Sequence, residues 1–428
     1  MSNRTIVDVT RLATWPGRVT GIPRVIKEYI RRAGADDNAV FVAWDHPMQR
    51  FEEVDPVRTA DLHGQGVQYV VRTSSSLKFA AALRYGGIGR LSGILRRRGF
   101  RTDSPALIER GRQLERLRYS DRIVVEAGAG DTFVSFMGEW DDPGYIDAVL
   151  SADARGSAIV QVSYDLLPIV TPQVSGHSTK PMINYLSQVL PVTDLVLAIS
   201  EHTKADLCEW AAKKKIPLKR VEVFRLGDDF GVDRSASNHR GNVPDEIADS
   251  GFVLCVGTLE ARKNHNLLYF VYRLAASRGV ELPALVIVGR EGWRGSDMLH
   301  ILREDPVLDG KVFVLEGTDD TGLAWLYRNC RHTIYPSIYE GWGLPIAESL
   351  AWGKPVLASN TSSMTEIAGD LIDYFNPFSV EECLAAILAL TDDDKLAEAT
   401  ERASRYEPTL WSETASVLNG LISTASES

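Results

Sequence analysis

Two glutamates, Glu340 and Glu348, stand eight positions apart in "YPSIYEGWGLPIAESLAWGKPVLASN", residues 335–360. Carboxylates can read hydroxyl groups, because an ionised carboxylate accepts two hydrogen bonds side by side from a vicinal diol. The stretch reads as strand, glycine-punctuated loop, helix and strand. Gly341 and Gly343 flank Trp342 directly after the strand, and glycine there lets backbone N–H groups come close to a ligand. Pro345 suits the first turn of a helix, where its missing N–H costs nothing. That helix start offers free donors and the positive end of the helix dipole to an anion such as phosphate. Glu348 sits about one turn in, about 200° from Ile346 and off the apolar stripe of Ile346 and Leu350. A phosphate site beside two hydroxyl readers fits a sugar nucleotide. A bare pair of glutamates at this spacing reads as two solvated surface residues; the surrounding P-S-x-Y-E-G-x-G-L-P carries the functional reading.

A second stretch supports it. "FVLCVGTLEARKNH" is a buried strand ending at Gly257, a turn carrying Arg262 and Lys263, and the start of a helix. Cations at the carboxyl end of a strand suit a diphosphate, Arg as a planar fork and Lys as a point charge. Taken alone, the same turn reads equally well as a solvated basic loop.

The scaffold that positions these residues follows from the whole chain. A length of 428 residues is more than one core accommodates, so two or three domains are expected. Hydrophobic and charged contents of 44% and 24% place it among globular proteins. The formal charge of −10 argues against a nucleic-acid partner. Cys208, Cys255, Cys330 and Cys383 are far apart and form no zinc pattern, which fits free thiols in a reducing compartment. "MSNRTIVDVTRLATWPG" has no signal-peptide h-region, and no run approaches the ~20 apolar residues of a membrane span. A cytoplasmic protein, at most peripheral at the inner face of a membrane, is the expectation.

Apolar runs rich in β-branched residues alternate with amphipathic segments, the pattern of α/β layering on parallel sheets. Strands are expected at Thr5–Val9, Val40–Ala43, Ile123–Val125, Thr132–Phe136, Ala158–Ser163 and Leu195–Ile199, and helices at 22–32, 107–119 and 180–189. Ser200 and Ser379 are candidate N-caps, the latter in a capping box with Glu382. After the polar stretch 227–251 a second α/β series begins with "FVLCVG", "ALVIVG", "VFVLEG", "HTIYPS" and "PVLAS". The expected architecture is two doubly wound domains, 1–228 and 251–405, joined by a linker at 229–250. A final helix in 406–428 packs back toward the first domain. Ligands in such sheets bind beyond the carboxyl ends of the strands, hence in the cleft between the domains.

From 252 to about 377 the chain resembles the retaining glycosyltransferases of family 4, through "VGTLEARKNH", "LVIVGREGW", "VFVLEGTDDTGLAWLYRNC", the Glu340–Glu348 block and "SMTEIAGD". The resemblance implies a GT-B fold of two facing Rossmann-like domains. It implies that Glu340 contacts the transferred sugar, that Glu348 holds the ribose diol, and that Lys263 with Arg262 neutralises the diphosphate. The amides of Gly341, Trp342, Gly343 and Leu344 would lie along sugar and phosphate, near Gly257 and Thr258. The loops at Gly289 and Glu316 would face the base. Thr258 stands where many members carry Arg; Trp342 and Ser349 replace the commoner Phe and Ala.

The N-terminal half resembles the family more faintly. Gly21, in "VDVTRLATWPGRVTGIPRV", would approach the donor phosphates from the opposite wall. In "VSYDLLPIVTP" Tyr164 replaces a frequent His and Asp165 remains as a catalytic candidate. Residues 72–101 carry eight Lys or Arg and no acid. They either lie on an anionic membrane surface or form a solvated basic excursion. The histidines form no metal-binding pattern, and Asp392–Asp394 reads as a solvated turn, so neither a cofactor nor a metal is expected.

The implied activity is retaining transfer of a sugar from a nucleoside diphosphate sugar to a glycan or lipid-linked glycan. GDP-mannose is the first donor, by resemblance to bacterial O-antigen and capsule mannosyltransferases, with UDP- or dTDP-sugars as alternatives. A non-catalytic sugar-nucleotide sensor of the same fold is a competing reading, and so is a nicotinamide-dependent oxidoreductase. No G-x-G-x-x-G follows an expected strand, which counts against the oxidoreductase.

Overall fold

The computed structural model describes residues 3–14, 21–33, 38–56, 59, 123–228, 240–248 and 251–425. The basic stretch 72–101 and the helix expected over 107–119 lie outside them. The first half forms a seven-stranded sheet: β1 (Thr5–Asp8), β2 (Ala39–Asp45), β3 (Arg50–Glu53), β4 (Thr132–Ser135), β5 (Ala158–Ser163), β6 (Leu195–Ala198) and β7 (Val221–Val223). Their order is β3-β2-β1-β4-β5-β6-β7, with β3 alone antiparallel to its neighbour. The second half forms an all-parallel sheet of β8 (Val253–Val256), β9 (Leu285–Val288), β10 (Val312–Leu315), β11 (His332–Tyr335), β12 (Val356–Ser359) and β13 (Asp373–Phe375). Its order, β10-β9-β8-β11-β12-β13, is that of a dinucleotide-binding sheet. The central strands are buried along their whole length, which is why they read as unbroken apolar runs. The strand order reverses between β1 and β4 and between β8 and β11, and each reversal opens a crevice at the carboxyl ends.

Several expectations change in detail. Ile123–Val125 is not a strand: only Val124 bridges, antiparallel, to Glu52, because β4 pairs directly with β1 and leaves it no place in the ladder. The short strands β3 and β13 went unread, β3 because three of the four residues of "RFEE" are charged. Its Glu52 is nevertheless buried, paired with Arg50 at 2.8 Å. Ser379 caps its helix as expected, accepting the Glu382 amide, but the Glu382 carboxylate accepts the Asn376 amide instead of closing the box. Asp392 is no free turn; it caps the helix Asp393–Ser404. Within the stretch read as linker, Val243 and Ile247 are buried against the C-terminal sheet, so 240–248 packs with that domain.

The two domains share a core. One hydrophobic cluster runs from the N-terminal sheet into Tyr335, Trp342, Ile346, Met364 and Ile367 of the other domain. The helix Trp411–Ser423 lies on the helix Ile22–Ala33, where the Tyr29 hydroxyl donates to Asn419 at 2.9 Å. Asp228, fully buried at the end of the first domain, accepts the Tyr406 hydroxyl and the Thr409 amide, which ties this return segment down. Among the described residues no helix is long and apolar enough to cross a membrane.

Candidate active site

The loop that follows β11 turns back into the helix Leu344–Ala351 within nine residues. Gly343 caps that helix with φ +124°, a conformation that side chains avoid. Ser363 holds the loop from the side, its hydroxyl within hydrogen-bonding distance of the Glu340 and Trp342 carbonyls. The Glu340 amide donates to Ser362 at 3.0 Å. The loop is thereby fixed through Ser362 and Ser363, while the Ile346 amide closes onto the Gly343 carbonyl at 2.9 Å.

Glu340 is the best-defined group of the site. One carboxylate oxygen meets Arg262 at 2.5 Å, and the other meets Lys263 at 2.6 Å and the Ser337 hydroxyl at 2.7 Å. The side chain is only 10% exposed. Burial pushes its pKa upward, but the charges of Arg262 and Lys263 overcome this and hold it at about 2. Burial likewise disfavours the charged Arg262, yet Glu340, Glu260 and Asp165 keep its pKa raised. Arg262 also reaches Glu260 at 2.7 Å. Thus the turn after β8 and the loop after β11, the two strands of the topological switch, meet in one knot of charge.

Glu348 stands one turn into the helix. Its oxygens accept from the Tyr327 hydroxyl at 2.9 Å and from Arg24 of the N-terminal domain at 3.2 Å. Asp165 lies across the cleft at the end of β5. Burial raises its pKa, partly offset by the Leu167 amide and by the field of Arg262. Glu340 and His177 also act on it, so all four groups share one electrostatic space. The domains come close at Gly341: a Cβ there would overlap the carbonyl oxygen of Tyr164. Further contacts hold the closed arrangement. Tyr339 donates to Asp206 at 2.6 Å, and the Glu366 carboxylate accepts the first two amides of the helix Glu201–Lys214 at 2.8 and 2.7 Å.

The structure therefore brings together Glu340, Arg262, Lys263, Asp165, Gly341 and the start of the Leu344 helix. Gly257, Thr258 and Gly289 form the adjoining floor, where a Cβ at Gly289 would strike the Gly257 carbonyl. Trp342 contributes only backbone: its ring is buried in the shared core with the Arg225 guanidinium 5.6 Å away. Glu316 follows the edge strand β10, and its carboxylate pairs with Arg303 at 2.7 Å. Gly21 starts the helix Ile22–Ala33 at φ +57°, its carbonyl accepting the Arg24 and Val25 amides. Arg24, Ser337, Tyr327 and Glu366 were not picked out from sequence. Ser337 stood in the quoted motif, but nothing in the chain order links Arg24 to Glu348.

Two facing Rossmann-like domains whose cleft carries a carboxylate–cation knot before a glycine loop define the GT-B class. Residues 242–406 match the family described as "Glycosyl transferases group 1". Over 158 residues the chain is 37% identical to the O-antigen chain mannosyltransferase B of Escherichia coli, a match covering 37% of this chain and 41% of that protein. It is 28% identical over 292 residues to the serotype-specific mannosyltransferase WbdA of Escherichia coli, covering 64% of this chain and 35% of that one. The chain thus spans well under half the length of these relatives. The crystal structure of Anabaena Alr3699/HepE in complex with UDP and glucose superposes on 99% of the chain and 100% of its own, with TM-score 0.57 at 13% identity. That likeness establishes the fold.

Proposed function

We propose that this protein is a retaining glycosyltransferase that moves a sugar, mannose from GDP-mannose, onto a glycan or lipid-linked glycan during surface polysaccharide synthesis. The observation that carries the reading is Glu340, gripped by Arg262 and Lys263 at the mouth of the β8–β11 crevice and backed by a helix N-terminus. Cations and loop amides stabilise a departing diphosphate, and a carboxylate beside them favours the positive charge developing on the sugar. The leaving phosphate takes the acceptor's proton on the face it leaves, so retention needs no separate protein base. Asp165 faces the same space from the acceptor side. The diphosphate is neutralised by side chains, without a metal. Mannose as the sugar is supported by the names of the relatives, two O-antigen and serotype mannosyltransferases. We place the protein at the cytoplasmic face of the membrane, where a lipid-linked acceptor is available.

The test is to incubate the protein with GDP-mannose, UDP-glucose, UDP-N-acetylglucosamine and dTDP-rhamnose and to follow nucleoside diphosphate release. Release from GDP-mannose is expected. Release from a UDP- or dTDP-sugar instead would correct the donor, and tight binding with no release from any would leave a sugar-nucleotide sensor.

A further inference from the structure

The charges at the donor site do not balance for the ligand it is built to hold. Glu260, Glu340, Glu348 and Asp165 gather around the crevice, and Arg262 and Lys263 answer them from the C-terminal domain. Both of those cations are engaged by Glu340. A nucleoside diphosphate brings two or more further negative charges into this partly buried space, where unbalanced charge is costly. A further cation from the opposite wall would offset that charge. Arg225 is committed elsewhere, to the Tyr406 hydroxyl at 2.8 Å and the buried Asp228.

Arg24 meets the requirement. It sits in the first turn of the helix Ile22–Ala33 in the N-terminal domain and reaches across the cleft to Glu348 Oε1 at 3.2 Å. Its side chain is 21% exposed, lying near the Trp411 ring, 5.9 Å from the guanidinium. Glu348 stands one turn inside the helix Leu344–Ala351, and a helical turn rises ~5.4 Å. The guanidinium therefore hangs about one turn from the helix start and the loop of Gly341 to Gly343 before it, where the phosphates would lie. We propose that Arg24 is a donor-binding residue, a diphosphate cation supplied by the N-terminal domain that is parked on Glu348 until a ribose claims that carboxylate. The exchange is chemically matched: the diol takes the acceptor oxygen that Arg24 releases, and the freed planar fork finds phosphate oxygens next to it. Because Arg24 and Glu348 lie on different domains, the nucleotide is gripped fully only when the cleft is closed. The proposal rests on the nucleotide-sugar reading given above.

The test is calorimetric titration of the full chain with GDP and with guanosine, repeated with UDP and uridine and with dTDP and thymidine. Arg24→Ala is expected to weaken diphosphate binding about 10- to 30-fold. Nucleoside binding is expected to hold or tighten, since Glu348 is then unclaimed. Arg24→Lys keeps the charge and should recover part of the loss, which separates a missing phosphate contact from a loosened helix. In a Glu348→Ala background, Arg24→Ala should still weaken GDP by a similar factor, because the phosphate contact survives loss of the parking site. If Arg24→Ala binds GDP as tightly as the wild type, or more tightly, the pair is only a latch and the proposal fails. A wild type that binds none of the three diphosphates overturns the nucleotide reading itself, and this proposal with it.

Discussion

Lys263 and Glu340 close an ion pair at 2.6 Å although 77 positions of chain, with three strands among them, separate them. Each stands just past the carboxyl end of its strand, β8 for the lysine and β11 for the glutamate, and these strands are neighbours at the point where the order reverses. The fold, and no local signal, delivers the two charges to one place.

Glu340 and Glu348 should fail in different ways. Glu340→Gln removes the charge facing the reacting sugar, and a loss of turnover of about 100-fold is expected, with donor affinity little changed. It also leaves Arg262 and Lys263 without their carboxylate, so thermal unfolding should move down as well. Glu348→Ala should instead weaken donor binding by about 10-fold or more, the loss of a charged hydrogen bond, while turnover at saturation holds. Steady-state kinetics over a range of donor concentration separate the two; equal effects on both parameters in both variants would sink the assignment.

Gly341→Ala tests closure. The added methyl meets the Tyr164 carbonyl, which is backbone and cannot step aside, so the domains should be held apart. Turnover is expected to fall by two orders of magnitude or more, and diphosphate affinity by about 10- to 30-fold as in Arg24→Ala, because the N-terminal grip on the nucleotide is lost with closure. Small-angle scattering should report a larger radius for the variant than for the wild type.

Low pH should destabilise the fold through histidines that are buried uncharged. His332 is fully buried with neither ring nitrogen paired, and burial holds its pKa down at about 3, aided by Arg331; His265 is held at about 3 in the same way, with Lys263 adding to the effect. Their folded pKa lies below the unfolded value, so the unfolded chain takes up protons first. Stability is therefore whole above pH ~6.5 and falls toward pH 3, by about 1.4 kcal/mol per unit for each histidine. Glu340 adds a lower window, losing its contribution from pH ~4.5 down to about 2. Urea unfolding at pH 7.5 and pH 5 should show His332→Leu gaining about 2 kcal/mol on the wild type at the lower pH. A constant difference between the two would mean that His332 does not titrate there.

Chelation gives a simple check on how the diphosphate is neutralised. If Arg262, Lys263 and the helix start carry that charge, nucleoside diphosphate release in the presence of EDTA should match the untreated protein within about twofold. A collapse of activity that Mg²⁺ restores would place the missing charge on a metal.

The sequence by itself determined a good part of this protein. The buried strands Val253–Val256, Leu285–Val288 and Val356–Ser359 are legible because sheets covered on both faces demand unbroken apolar runs. Ser200 and Ser379 announce helix starts, and Gly343 and Pro345 announce the loop and helix that hold the anion site, since these are local backbone requirements. Strand β3 was hidden because its Glu52 is buried by pairing with Arg50, which no hydrophobic pattern reveals. Only the tertiary structure decided the partners: Arg24 on Glu348, Asp165 in the field of Arg262, Glu366 capping a helix of the other domain, and Trp342 turned away from the ligand loop into the core. Those contacts join residues more than 70 positions apart through domain closure. Closure depends on shape and charge matching between two surfaces, which short-range periodicity does not encode.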